Sequence, residues 1–253
     1  MPLAYPGLVL VLTIVAPVFA TNCYVVAPAS GHECVVVDAG AGVAADVEAA
    51  VAEHDLSPVA VLATHGHVDH TWDASELCER FDVPLRIHEA DEYRLADPFG
   101  TLGGGALVSA LAQLGLHGAD YRAPARVEPV RTAHRGSTRI ELAGLPVTWL
   151  HAPGHTQGAS LLSVPRAPSS ASILTPTEGV PHDLHPSRTV FSGDVLFAGT
   201  IGRTDLPGGD DVEMARTLAQ PVGTLAGDVL VLPGHGSATW MDVEYRRNPF
   251  LAR

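Results

Sequence analysis

Short apolar runs that stop abruptly at glycine, histidine or aspartate are the feature that most restricts the fold of this chain. The run Val59–Ala63 leads directly into "THGHVDH", and the run Val229–Leu232 leads into "PGHG". Apolar runs of this length, closed by turn residues, are typical of buried strands. The pattern therefore predicts sheets with buried strands whose ends carry polar side chains.

Predicted strands alternate with predicted helices in the first half of the chain. Strands are expected in Leu8–Ala20 and the following "TNCYVVAP", in Glu33–Ala39 and in Val59–Ala63. Helical spacing covers Val43–His54, and Asp73 is expected to cap a helix that extends through Phe81. This order is typical of an α/β protein.

The second half of the chain contains more strands and one long polar insertion. Strands are expected at Pro146–Leu150, Ala159–Val164, Thr189–Ser192 and Val229–Leu232. Arg166–Ser187 is rich in proline and serine, and we interpret it as an exposed hairpin loop because apolar strands flank it closely. The glycine-rich segment Phe99–Ala106 is expected to be mobile.

Composition limits the classes of function that the chain can have. The chain has 253 residues, 46% of them hydrophobic, which is enough for one large domain or two small ones with a substantial core. The formal charge is −13, and all 15 basic residues are arginines. Nucleic-acid binding requires clustered cations, so this acidic balance predicts no nucleic-acid partner.

The cysteines and the apolar N-terminal segment bear on localisation. Cys23, Cys34 and Cys78 are odd in number and form no C-x-x-C pair, which favours a reducing cytoplasm over a disulfide framework. Leu8–Ala20 is similar to the apolar part of a signal peptide, but Pro17 interrupts it and no positive charge precedes it. The segment is also too short to span a bilayer as a helix, so we expect no membrane association.

The stretch "THGHVDH" carries four side chains of the kinds that bind metals. His65 and His67 are two residues apart and point the same way in an extended segment, whereas Asp69 and His70 follow after the chain turns. Imidazole nitrogen and carboxylate oxygen are ligands that zinc accepts. The alternative is a surface loop that happens to be rich in histidine.

Three more candidate ligands follow apolar strands and stand beside glycines. They are His155 in "HAPGHTQG", Asp194 in "VFSGDVLF" and His235 in "VLVLPGHG". Open α/β folds place their sites at strand ends along one edge of a sheet, and glycine permits the sharp turns that aim such side chains inward. Five histidines and two aspartates are therefore expected to converge.

The chain resembles the metallo-β-lactamase superfamily through its H-x-H-x-D-H signature, and within it the glyoxalase II-type hydrolases. The matching stretches, in order, are "TNCYVV", "THGHVDH", "APGHTQG", "FSGDVLFAGTIGRTDLPGGD", "LPGHG" and "RRNPFL". The resemblance implies a four-layer αβ/βα sandwich, with metals in a cleft at one edge of its two sheets.

The resemblance also implies a metal centre and a reaction. Two divalent cations are expected, with zinc as the first choice and iron or manganese as alternatives. The implied ligands are His65, His67 and His155 for one metal, Asp69, His70 and His235 for the other, and Asp194 as a bridge. A bridging hydroxide, oriented by Asp69, would attack a small-molecule thioester of a 2-hydroxy acid such as S-lactoylglutathione.

The segment "GRTDLPGGD", Gly202–Asp210, bears on the substrate. Arg203 is a candidate clamp for a substrate carboxylate, or it pairs with Asp205. We favour the ion pair, because an arginine flanked by acids commonly pairs with one of them. Thr204 would then be a turn residue. The ending "DLPGGD" resembles the hydrolases more than the related persulfide dioxygenases, which bind one iron.

Several other polar residues are expected to lie outside the reacting centre. For His151, strand packing is favoured over a supporting role beside the ligands. Asp38 is interpreted as a strand-end or supporting residue, and Cys23 as a core residue. We expect solvent-facing side chains at His32, His54, His88, His117, His134, His182 and His185.

Alternative functions remain for the same constellation. One is a mononuclear iron persulfide dioxygenase, another is a lactonase-type hydrolase, and a third is a non-enzymatic protein with a relic site, which the complete ligand set argues against. Only 18 residues follow His235, and Gly66 stands where glyoxalase II enzymes often carry another histidine. Both features suggest that residues 1–253 form a smaller, single-domain relative, whose substrate specificity is loose or directed at a different thiol. The oligomeric state is left open.

Overall fold

Two six-stranded β-sheets form the centre of the fold, which a computed structural model describes for residues 8–165, 167–168 and 186–251. The strands of the first sheet lie in chain order: β1 (Leu10–Val15), β2 (Asn22–Ala27), β3 (Glu33–Val37), β4 (Ser57–Leu62), β5 (Leu85–His88) and β6 (Val127–Val130). The first three strands are antiparallel, and β3 to β6 are parallel.

The second sheet is mostly antiparallel. Its strands are β7 (Ser137–Leu142), β8 (Leu145–His151), β9 (Ser160–Val164), β10 (Arg188–Gly193), β13 (Val229–Pro233) and β14 (Thr239–Trp240). Their spatial order is β14, β13, β10, β9, β8 and β7, with β10 and β13 as the parallel pair. Two short strands, β11 (Leu196–Phe197) and β12 (Thr200–Ile201), form a separate hairpin.

Helices supply the crossovers that parallel strands require. The α-helices are α1 (Ala44–Glu53), α2 (Val68–Thr71), α3 (Ala74–Phe81), α4 (Gly105–Gln113), α5 (Asp211–Ala219) and α6 (Met241–Arg247). Within the described residues, three short 3₁₀ helices cover Glu89–Leu95, Gly100–Leu102 and Val222–Thr224. No helix in the described part of the chain is long and apolar enough to cross a bilayer.

Alternating side chains of the strands set the order of the layers. In β2, Cys23 and Val25 pack against α1 and α3, whereas Tyr24 and Val26 point into the core between the sheets. The outer face of the second sheet packs against α5 and α6, through residues such as Met214. The predicted α/β fold class, a four-layer αβ/βα sandwich, is therefore confirmed.

The ends of four strands meet at one edge of the sandwich. Residues 64–70 follow β4, residues 152–158 connect β8 to β9, Asp194 follows β10 and residues 234–236 follow β13. Backbone hydrogen bonds join these segments across the two sheets: Ser160 N donates to Thr64 O at 2.9 Å, and Asn22 N donates to Gly234 O at 2.7 Å. The ligand-bearing loops are therefore fixed to one another by both sheets.

Most predicted elements of the first half are present, with one error of detail. Asp73 stands just before α3, as predicted, but its carboxylate does not cap that helix. It accepts hydrogen bonds from Gly42 N and Ala44 N, both 2.9 Å, at the start of α1. The cap prediction is wrong because a spatially adjacent helix start competes for the same carboxylate.

Two predicted loops have different outcomes. The polar insertion Arg166–Ser187 lies largely outside the described residues, and the strands that flank it, β9 and β10, are antiparallel neighbours as a hairpin requires. In Phe99–Ala106, the structure has the 3₁₀ helix Gly100–Leu102 and the start of α4. Regular structure therefore extends into a glycine-rich segment.

Candidate metal centre

Three imidazole nitrogens meet at the end of β4 and the β8–β9 connection. His65 Nε2 lies 3.1 Å from His67 Nδ1 and 3.2 Å from His155 Nε2, and the last two atoms are 2.9 Å apart. All three rings are buried. Three ring nitrogens facing one another at this range are the ligand geometry of a His₃ metal site.

A second group of three candidate ligands lies beside the first. His235 Nε2 is 3.3 Å from Asp69 Oδ2, and His70 Nε2 is 3.7 Å from the same oxygen. The three ligand atoms lie within 4.8 Å of one another, which is close enough for one cation to contact them all.

The carboxylate of Asp194 lies between the two groups. Its Oδ1 is 3.3 Å from His70 Nε2, and its Oδ2 is 3.7 Å from His155 Nε2 and 3.6 Å from His235 Nε2. Among the described residues, His70 Nε2 and Asp194 Oδ1 are buried atoms without a hydrogen-bond partner of good geometry. Buried polar atoms are normally satisfied, so this donor set fits two cations that share one carboxylate.

Asp38 fixes the orientation of His70 from behind the site. Its Oδ2 lies 3.0 Å from His70 Nδ1 and accepts a hydrogen bond from Thr64 Oγ1 at 2.8 Å. Because that hydroxyl donates to Asp38, it is available to accept from His65 Nδ1, 3.2 Å away. Both histidines are thereby assigned the tautomer with Nδ1–H, which leaves the Nε2 lone pair facing the site.

Backbone carbonyls orient two other histidines in the same way. His155 Nδ1 donates to Arg203 O at 2.7 Å, and His235 Nδ1 donates to Phe19 O at 3.1 Å. Their Nε2 atoms are therefore free to bind a cation. Asp38 is thus a supporting residue as well as a strand-end residue, and "GRTD" contributes a main-chain carbonyl to the site.

Close approach of the backbone explains one of the glycines beside the ligands. A Cβ on Gly234 would overlap Asp194 Oδ1 and lie 2.6 Å from His70 Cε1. Only glycine fits here without displacing a candidate ligand. The glycine in "PGHG" therefore lets the loop that carries His235 approach the other candidate ligands.

The electrostatic environment keeps two of the histidines neutral. Burial lowers the pKa of His65 well below its usual value, and the neighbouring histidines lower it further. Burial and the adjacent His155 lower the pKa of His67 to about 3. Metal binding requires a neutral imidazole, so these rings do not need to lose a proton at neutral pH.

The two carboxylates remain ionised despite their environment. Burial acts to raise the pKa of both Asp69 and Asp194, but nearby His70 and His235 outweigh it and hold both pKa values below the usual range. Conversely, these acids raise the pKa of His70 and of His235 against the opposing effect of burial. Both carboxylates are therefore available as anions to bind a cation.

Asp91 is a supporting residue that the sequence analysis missed. It is fully buried, and its carboxylate accepts hydrogen bonds from Gly66 N at 2.9 Å, Thr156 Oγ1 at 2.6 Å and Gly158 N at 2.8 Å. The first donor belongs to the loop of His65 and His67, and the other two belong to the loop of His155. One carboxylate therefore joins both parts of the first ligand group.

Arg94 extends this support to a third loop. Its Nε donates to Asp91 Oδ1 at 3.2 Å, and its Nη2 donates to Gln157 Oε1 at 2.9 Å and to Pro207 O at 2.8 Å. Pro207 lies in the same segment as Arg203, whose carbonyl orients His155. No local motif marks this ion pair, since the spacing in "DEYR" is common on solvent-exposed surfaces.

The prediction that His88 faces solvent is wrong. It is 3% exposed and stacks on His151, with ring centroids 4.1 Å apart and planes at 5°. His88 ends β5 and His151 ends β8, so the stack joins the two sheets. Burial and the neighbouring His151 lower the pKa of His88 to about 4. The His88 ring is therefore neutral at neutral pH and can stack on His151 without repulsion between two charged rings.

The other histidines have simpler positions. His151 packs at the end of its strand and its Nε2 donates to Gln157 O at 2.7 Å, so it supports the ligand loop without joining the ligands. Exposed side chains are found at His32, His117 and His134, whereas His54 is half-buried. The predictions for His182 and His185 lie outside the described residues. Cys23 is buried in the core, as predicted, and all three cysteines are free and buried.

A cavity of about 310 Å³ opens onto the candidate ligands. It is lined by Phe19, His67, Val68, Asp69, Leu102, Leu111, His155, Asp194, Arg203, Leu206 and His235. Arg203 makes a bidentate ion pair with Asp205, at 2.6 and 2.7 Å, which is the arrangement favoured from the sequence. A small ligand in the cavity would contact the candidate metal site directly.

Comparisons with known proteins relate the chain to one superfamily. The family model for the metallo-beta-lactamase superfamily matches residues 16–168. An uncharacterized protein from Mycobacterium bovis is 36% identical over 236 residues, which cover 93% of this chain and 95% of that protein. The probable metallo-hydrolase YqgX from Bacillus subtilis is 29% identical over 94% of each chain. Hydroxyacylglutathione hydrolase GloC from Haemophilus influenzae is 30% identical over 79% of each chain.

Solved structures show the same fold. The B3 metallo-beta-lactamase BLEG-1 has a TM-score of 0.71 at 24% identity, and the match covers 96% of this chain and all of that one. TTHA1623 in a di-iron-bound form has a TM-score of 0.67 at 29% identity, over 95% of this chain and all of that one. ETHE1 from Myxococcus xanthus has a TM-score of 0.67 at 21% identity, over 95% and 83% of the chains.

Replacing Asp91 tests whether this carboxylate organises the first ligand group. In Asp91→Asn, one oxygen acceptor is lost, so we expect metal affinity to fall about 10- to 100-fold. Isothermal titration calorimetry, with zinc added to the metal-free protein, measures the change in zinc affinity. Glu92→Gln, an exposed position on the same 3₁₀ helix, is the matched control. Equal affinities for the two variants would show that Asp91 has no organising role.

Replacing Asp194 tests its place between the two groups. Asp194→Ala is expected to weaken binding at both groups because its carboxylate faces both, whereas His235→Ala removes a ligand from one. Metal content per chain after dialysis against a defined free zinc concentration distinguishes the variants, with Asp46→Ala on α1 as an exposed acidic control. Identical metal loss from both variants would contradict the bridging position.

Proposed function

The chain belongs to the metallo-β-lactamase superfamily, and we propose that it hydrolyses thioesters of 2-hydroxy acids at a site that binds two divalent cations. The observation that carries the proposal is the carboxylate of Asp194 between two groups of three candidate ligands. We propose zinc as the metal, and the di-iron form of TTHA1623 makes iron the chief alternative.

Two observations support a thioester as the substrate. The relative GloC from Haemophilus influenzae is named a hydroxyacylglutathione hydrolase. The segment "GRTDLPGGD" of this chain, which resembles the glyoxalase II-type hydrolases, contributes Arg203 O to the orientation of His155 and Arg203 itself to the cavity. The segment that resembles the hydrolases therefore contributes a residue, Arg203, to the lining of this site.

The ligands divide into binding and orienting roles. When bound, the two cations supply Lewis acidity, which polarises a carbonyl group and makes water acidic enough to react near neutral pH. We assign to Asp69 the role of orienting the attacking water. Its side chain lines the cavity and is 21% exposed, whereas that of Asp194 is 12% exposed. The facing ring nitrogens, Nδ1 of His67 and Nε2 of the other four histidines, would hold the positive charge of the cations beside the reacting carbonyl.

A thioester suits this site because its leaving group needs little help. A thiol has a pKa of about 8.5, so a thiolate departs without full protonation by an acid of the protein. The imidazoles of His65 and His67 are neutral and the carboxylate of Asp69 is ionised, so these three ligands are bases rather than acids at neutral pH. An ester with a poor alkoxide leaving group would gain less from such a site.

The second ligand group favours the hydrolase over a mononuclear iron dioxygenase. Asp69, His70 and His235 converge in addition to the three histidines, and so provide for a second cation. ETHE1 shares the fold at 21% identity, a level of similarity that bears on the fold alone. A cytoplasmic location is proposed as well, because the three cysteines are free and buried.

Chelation and reconstitution test the proposed function. Metal-free protein is expected to lose cleavage of D-lactoyl thioesters, and added zinc should restore it, because the cations polarise the reacting carbonyl. His67→Ala should remain inactive after zinc addition, whereas His32→Ala, an exposed control, should recover. Cleavage that persists in metal-free protein would refute the mechanism. Persulfide-dependent oxygen uptake by iron-loaded protein would identify the dioxygenase instead.

A further inference from the structure

Apart from the candidate ligands and Arg203, the cavity is bounded by an apolar wall. The wall consists of Phe19, Val68, Leu102, Leu111 and Leu206. These residues come from separate segments: the turn after β1, α2, the Gly100–Leu102 helix, α4 and the loop that follows β12. A substrate group that extends from the reacting carbonyl into the cavity therefore meets hydrocarbon on several sides.

Packing behind the apolar wall holds it in place. Val68, Leu102 and Leu111 belong to a hydrophobic cluster that also includes the buried residues Ala41 and Leu116. Trp72 joins this cluster and contacts Phe99 and Tyr121, with ring centroids 6.1 and 5.9 Å apart. Because the wall is part of a packed cluster, it offers a preformed apolar surface to a ligand.

Arg203 is the one basic residue among the described residues that line the cavity. Its guanidinium already holds the carboxylate of Asp205 through two parallel hydrogen bonds. The hydrogen bonds from Arg203 lower the pKa of Asp205 to about 2, so the pair is fully charged at neutral pH. The arginine that could recognise a substrate carboxylate is therefore occupied by an internal one.

We propose, as an extension that rests on the proposed thioesterase function, that the substrate is a thioester of a thiol whose cavity-bound part is apolar and carries no carboxylate. The small 2-hydroxyacyl group leaves most of the 310 Å³ for the thiol. A carboxylate against the apolar wall would lose hydration, and Arg203, the one arginine among the described lining residues, is already paired with Asp205. Asp205 thus acts as a specificity determinant by neutralising Arg203.

A matched pair of substrates tests this inference on zinc-loaded protein. S-D-lactoyl-N-acetylcysteamine and S-D-lactoyl-N-acetylcysteine differ by one carboxylate on the thiol. We expect kcat/KM to be about tenfold or more higher for the neutral thioester, because a buried carboxylate without a partner is costly. Similar values for the two, or a preference for the carboxylate, would overturn the inference.

Two variants test the part assigned to Asp205. Asp205→Asn releases the Arg203 guanidinium, so kcat/KM for the carboxylate-bearing thioester should rise and the ratio between the substrates should narrow. Adding Arg203→Gln to the same chain should restore the wild-type preference, because the released cation is then gone. A ratio that Asp205→Asn leaves unchanged would contradict this assignment.

Binding of unreactive analogues separates this inference from the proposed function. In each analogue a methylene group replaces the thioester carbonyl, which gives a thioether. The part derived from N-acetylcysteamine or from N-acetylcysteine is unchanged. Calorimetry on the zinc-loaded protein should show tighter binding of the neutral analogue, with a negative heat-capacity change from apolar burial. If neither thioester is cleaved, the proposed function fails, and the analogue affinities still decide the inference. Equal affinities would refute it.

Discussion

Crowding of lone pairs at one sheet edge is the constraint on which the site depends. Three imidazole nitrogens face one another at 2.9 to 3.2 Å, and the carboxylate of Asp194 lies within 3.7 Å of one of them and of two further ring nitrogens. Such a set is unfavourable without positive charge between its members. The fold must therefore hold these groups together, and cations would stabilise what the fold has brought close.

Buried acids on the far side of the ligands provide that hold. Asp38 orients His70 and, through Thr64, His65, while Asp91 joins the two loops that carry the first ligand group. Asp38 has a left-handed backbone conformation, φ 58°, which aspartate tolerates better than most residues. Both acids accept several hydrogen bonds, which is what makes a buried carboxylate tolerable. The support of the site is thus built from the same residue type as two of its candidate ligands.

Local patterns of strand ends and glycines predicted the α/β class and the convergence of the seven candidate ligands, and the family resemblance implied the four-layer arrangement. "THGHVDH" turns into α2 between His67 and Asp69, as expected. Asp91 and His88 could not be found in this way, because their roles come from contacts with loops distant in sequence. Strand β7 was missed since its side chains are mostly polar, and β6 since Pro129 interrupts its pattern. Helix α4 was missed because glycines precede it.

The number of cations per chain tests the central claim most directly. Protein purified without added metal, then equilibrated with zinc and freed of excess, should contain close to two zinc ions per chain by elemental analysis. That result would agree with Asp194 between two ligand groups. A content that saturates at one ion per chain would contradict a dinuclear centre and leave Asp69, His70 and His235 without their assigned cation.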